Sequence, residues 1–160
     1  MQFLQFAAAA VISYLGLPAG FFLGSVTTEE LPTASKYFPM LQRAIILVIA
    51  VVMANYFGYP ILIRLLVYAV VIAAALASVD FRFFYPIFGI LLFGVAANEN
   101  FLLFTSLLIF LFGLVSGSQY FAMAVKRKSQ TMAAARRLLL QNLAYPGIAM
   151  ILFLLPIRFG

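Results

Sequence analysis

Tyr14, Ser116, Gln119, Tyr120 and Asn142 are polar side chains set in long apolar runs, and hydroxyl and amide groups so placed could hold a small solute by hydrogen bonding. Close to them in sequence lie four points where a helix is expected to break: Pro18 in GLPAG, Gly117 in VSGSQ, and Pro146 with Gly147 in AYPG. Irregular backbone at membrane depth persists only where protein or a watery cavity satisfies the freed carbonyls, and Pro and Gly breaks point to transporter sites. These residues therefore define a candidate pocket open to the cytoplasm. A plainer reading competes with it. Gly16 and Gly20, like Gly113 and Gly117, stand four apart, the spacing that lets membrane helices approach closely, with Ser and Thr adding interhelical hydrogen bonds.

Most other chemistry is excluded by composition. The chain has no His and no Cys, so the usual general base, the usual metal ligand, thiolate catalysis and disulfides are all missing. Its only acids are Glu29, Glu30, Asp80 and Glu99, and none falls near the middle of an apolar run. Carboxylate-paired metal sites, proton relays and intramembrane proteolysis lose their parts, and no metal or cofactor is expected. The groups left for catalysis are Asp80 with Arg82, or Glu29 with Glu30, at a membrane boundary. They support at most a lipid-handling enzyme.

The elements that must position these groups follow from hydrophobicity. With 66% hydrophobic and 9% charged residues in 160, the chain cannot cover the surface of a soluble domain. AIILVIAVVMA and LLVYAVVIAAALA are apolar on every face, so they read as membrane helices rather than as the alternating strands of a barrel. At about 20 residues per crossing the expected architecture is an all-α integral membrane bundle of about six transmembrane helices. One domain, 1–160, would hold spans near 3–24, 39–55, 61–79, 83–97, 101–125 and 138–156, joined by short loops. The amino terminus lacks a basic n-region and reads as a retained helix. Between the first two spans, Thr28 is expected to cap a short interfacial turn. FRFFYPIF reads as a lipid-facing surface, or less readily as a groove for an isoprenoid chain.

Orientation comes from Gly113 to Arg137, an apolar stretch that turns abruptly basic. Lys126, Arg127, Lys128, Arg136 and Arg137 are expected to form a cytoplasmic loop, because short positive loops resist translocation. Both termini then lie on the non-cytoplasmic side. Lys36, Arg43 and Arg82 join the loop on the inner side, leaving Arg64 and Arg158 outside. The five loop cations could also bind anionic headgroups, at about 1 kcal/mol each before screening. Nucleic acid is not an expected partner, since the loop is short and has no interleaved aromatics.

The expected function is that of a non-catalytic polytopic membrane protein, a small subunit or scaffold that packs against membrane lipids and a partner subunit or another copy. A facilitative transporter or channel with a site between spans 1, 5 and 6 is the alternative. The expected location is the plasma membrane of a prokaryote.

Overall fold

A computed structural model describes residues 3–76, 84–126 and 131–155, apart from the side chains of residues 32, 75, 76 and 131. Among the described residues there are eight helices and no strand: α1 (Phe3–Val26), α2 (Leu31–Ala34), α3 (Phe38–Tyr56), α4 (Ile61–Leu76), α5 (Phe84–Gly94), α6 (Glu99–Lys126), α7 (Thr131–Asn142) and α8 (Ala144–Leu154). Four stretches are long and apolar enough to cross a membrane: Phe3–Val26, Phe38–Tyr56, Glu99–Lys126 and Met132–Leu154. Ile61–Ala74 and Phe84–Gly94 are apolar but shorter.

The helix directions follow from which residues meet. Gly16 lies against Phe110, Gly20 against Leu114 and Gly24 against Phe121, so α1 and α6 run parallel. Gln42 meets Ser116 and Tyr56 meets Phe101, so α3 runs against α6. Ser13 meets Tyr145 and Phe6 stacks on Phe153, so α7 and α8 run against α1. α5 lies beside α8, where Gly89 faces the Tyr145 carbonyl, and α4 returns along α3. The described cations Lys36, Arg43, Lys126, Arg136 and Arg137 thus share the end of the bundle at which α6 finishes. Arg64 and Glu99 lie at the other.

Local chemistry sets several boundaries differently from the sequence expectation. ANEN opens α6, which starts at Glu99 and not near 101: Asn98 Oδ1 accepts from the backbone N–H of Asn100 (3.1 Å) and Phe101 (3.3 Å), which is N-cap geometry. Glu99 in the first turn and Lys126 in the last both complement the helix dipole. Thr28 caps nothing, since α2 begins after Glu30 with no side-chain cap and with proline in its first turn. α3 ends at Gly58, whose φ of 62° is the left-handed conformation that glycine adopts without cost.

The largest difference lies in the basic segment. Arg136 and Arg137 stand on a helix, α7, and not in a loop. TMAAARRLLLQN is rich in good helix formers, and it turns Ala134, Leu138 and Asn142 inward at fourfold spacing while both arginines stay exposed. Arg127 and Lys128 lie outside the described residues, as do Asp80, Arg82 and Arg158.

None of the four expected break residues parts a helix where it stands, and Pro146 and Gly147 lie inside α8. α1 runs on through Pro18 and α6 through Gly117. A proline inside a helix removes one donor and leaves the carbonyl four residues back, here that of Tyr14, without its helical partner. The helix is nonetheless continuous on both sides of Pro18. The chain is parted near Pro146, but three residues earlier, at Leu143 between α7 and α8. FRFFYPIF is also divided differently from the expectation. Of its described part, Tyr85 and Phe88 are buried and Ile87 faces outward, so the segment contributes to the core as well as to the surface.

Candidate functional site

The close approach of α1 and α6 fixes everything around it. A Cβ built on Gly16 would lie 2.2 Å from the Phe110 carbonyl oxygen, one on Gly20 1.9 Å from that of Leu114, and one on Gly117 2.2 Å from that of Leu17. These contacts are backbone against backbone, and no side chain can move aside to relieve them. Ser118 Oγ donates across the seam to the Gly20 carbonyl at 2.8 Å. Gly113 and Gly117 therefore line a helix contact, and the α1 backbone occupies the space beside them.

Next to this seam, polar side chains from five helices, α1, α3, α5, α6 and α8, meet at one depth. The Ser13 hydroxyl donates back to the Ala9 carbonyl at 2.7 Å, so its bond with the Tyr145 hydroxyl is one in which Tyr145 donates. Tyr14 Oη donates to the Leu139 carbonyl of α7 at 2.8 Å, and its ring lies 6.5 Å from that of Tyr145. The Tyr145 ring lies 6.2 Å from that of Tyr85 on α5. The Tyr85 hydroxyl in turn lies close to Ser116 on α6. Ser116 Oγ accepts from Gln42 Nε2 of α3 at 2.9 Å. Ser13, Tyr85, Ser116 and Tyr145 are all fully buried.

Of the five pocket candidates, the structure brings Tyr14 and Ser116 into this layer. Asn142 is buried nearby, with Nδ2 turned back to the Leu138 carbonyl at 2.8 Å. Gln119 and Tyr120 follow Ser116 along α6 toward the basic end and are partly buried, Tyr120 packing on the core. Pro146 is partly buried beside Tyr145, and Gly147 is exposed with nothing within 4 Å of a built Cβ. Lys126, Arg136 and Arg137 are exposed at the basic end.

Ser13, Gln42, Tyr85 and Tyr145 complete the layer, although the sequence did not single them out for it. Gln42 stands next to Arg43 and reads as interfacial, and Tyr85 sits in an aromatic run that reads as lipid-facing. The usable signal was proximity to the breaks, which marks Tyr145 beside Pro146. Among the described residues the layer is joined by hydrogen bonds and ring contacts, and no His, Cys, Asp or Glu cluster could hold a metal.

The buried atoms Tyr85 Oη, Gln119 Oε1 and Asn142 Oδ1 find no hydrogen-bond partner of good geometry among the described residues. Each such orphan costs about 1–3 kcal/mol unless a water or ligand meets it.

No protein-family model matches the chain, and neither the curated proteins nor the solved structures give a significant match.

Proposed function

We propose that the chain is a six-span protein of a prokaryotic plasma membrane, with both termini on the non-cytoplasmic side, and that it acts as a non-catalytic subunit or scaffold. The observation that carries this reading is the glycine seam. The glycine half of the candidate pocket is occupied by backbone of the neighbouring helix, and Ser13, Tyr14, Ser116 and Ser118 use their hydroxyls to tie helices together. Each interhelical bond of this kind contributes about 0.6 to 2 kcal/mol. The result is a bundle built for a single rigid shape, whose outward faces are apolar and whose basic end suits anionic lipid. Partners would be membrane lipids together with a second membrane subunit or further copies. Extraction into native-lipid nanodiscs and measurement of particle mass tests this. A discrete oligomer or a stoichiometric partner is expected, and a lone chain at all concentrations contradicts it.

The orphaned atoms of Tyr85, Gln119 and Asn142 favour a second reading, a facilitative transporter or channel whose solute would satisfy them. Tyr85→Phe and Gln119→Ala should then lower solute flux into vesicles, and unchanged flux removes this alternative.

A further inference from the structure

We infer that the groove between α3 and α6 near their Glu99 end binds an anionic phospholipid of the bilayer, with an acyl chain in the groove and the phosphate at Arg64. The groove encloses about 400 Å³ and is lined by Val51, Val52, Asn55, Asn100, Phe101 and Phe104. Its walls are apolar, its two amides sit toward the helix ends, and it opens outward from the bundle beside the exposed Val51 and Phe104. An apolar slot that opens toward lipid and becomes polar at the interface matches the amphipathic order of a phospholipid.

Arg64 supplies the charge. Its Nη1 donates to Asn55 Oδ1 at 3.1 Å and its Nε to the Tyr59 carbonyl, so a groove-lining residue and the α3–α4 turn fix the guanidinium at the groove's rim. These bonds use two of the five N–H donors of a guanidinium, a group whose planar fork suits phosphate. Its position is otherwise unfavourable. It lies in the first turn of α4, where the helix dipole repels a cation, and at the bundle end opposite the other described cations. A phosphate at that spot would offset both costs. Glu99, the described acid at the same end, opposes the effect, so the preference should be moderate.

The chain has no tryptophan, which allows a single reporter. Leu107→Trp places one on the exposed face of α6 one turn from Phe104, and Ile12→Trp places a control on exposed α1. Each is reconstituted in phosphatidylcholine vesicles holding the same fraction of brominated phosphatidylglycerol or brominated phosphatidylcholine. At position 107 the anionic lipid should be favoured about fivefold, equivalent to about 1 kcal/mol at 1.4 kcal/mol per factor of ten. The reporter at position 12 should show no preference. Arg64→Gln should abolish the preference at 107, Arg64→Lys should retain most of it, and Glu99→Gln should raise it. Equal quenching by both lipids at 107, the same preference at 12, or a preference surviving Arg64→Gln overturns the inference. So does shielding of position 107 that depends on protein-to-lipid ratio and not on headgroup, which would place a second copy in the groove.

Discussion

Gly20→Ala adds one methyl group at the tightest point of the bundle. The added Cβ would stand 1.9 Å from the Leu114 carbonyl oxygen, and ordinary contact begins at 3.4 Å, so the helices must part by 1.5 Å, the difference of the two distances. Neither side of the contact is a flexible side chain. A gap of that size forfeits much of the dispersion along the seam, where even a 0.5–1 Å gap loses a quarter to a half of the attraction. It also stretches the 2.8 Å bond from Ser118 Oγ to the Gly20 carbonyl beyond hydrogen-bond range. Overpacking at about 1–3 kcal/mol and an interhelical bond at about 0.6–2 kcal/mol together predict a loss of about 2–5 kcal/mol. Reversible unfolding of the purified protein in mixed micelles measures it. Gly147→Ala is the matched control, because a Cβ there meets nothing within 4 Å and alanine favours a helix by about 0.5–1 kcal/mol. Gly24→Ala should fall between them, since its nearest neighbour is the Phe121 side chain at 3.2 Å. Equal stability of Gly20→Ala and Gly147→Ala would refute the reasoning.

Other substitutions test the polar layer and the helix ends. Tyr145→Phe and Ser13→Ala should each destabilise by about 1 kcal/mol, and the double variant by less than their sum, because both remove one bond; full additivity in the unfolding cycle would count against it. Tyr85→Phe should leave stability unchanged or raise it, since the buried hydroxyl, though close to Ser116, makes no hydrogen bond of good geometry among the described residues. A loss above about 1 kcal/mol would mean that the hydroxyl is bonded in solution. Asn98→Ala should cost about 1 kcal/mol through its N-cap, and hydrogen exchange should locate the loosening in the first turn of α6.

The sequence carries the class of this protein more fully than its site. Apolar runs with fourfold glycine spacing predict helices that pack closely, and Gly16, Gly20, Gly113 and Gly117 meet across one seam. The spacing does not reveal that the two glycine pairs face each other, because that requires α1 and α6 to be neighbours though nearly a hundred residues apart. Arg136 and Arg137 mislead in the opposite way: their charge suggests a loop, but the alanines and leucines around them make a helix with both arginines on its outer face. Pro18 and Gly117 look like breaks because propensity is a property of the residue, whereas continuity depends on the surroundings, here the close packing of α1 against α6. α6 starts at Glu99, two residues before the expected 101, and the local signal is present in the sequence, because an Asn followed by Glu is the signature of a helix start.

Both functional readings, and the leaflet that holds the α3–α6 groove, depend on which end of the bundle faces the cytoplasm. The cysteine-free chain permits one direct measurement, the side from which Ser129→Cys, between α6 and α7, and Asn98→Cys, at the start of α6, react with an impermeant thiol reagent in intact cells. A chain with its basic end inside gives labelling at position 98 and none at 129 until the membrane is opened. Labelling at 129 from outside would contradict that orientation, and the assignment of function built on it.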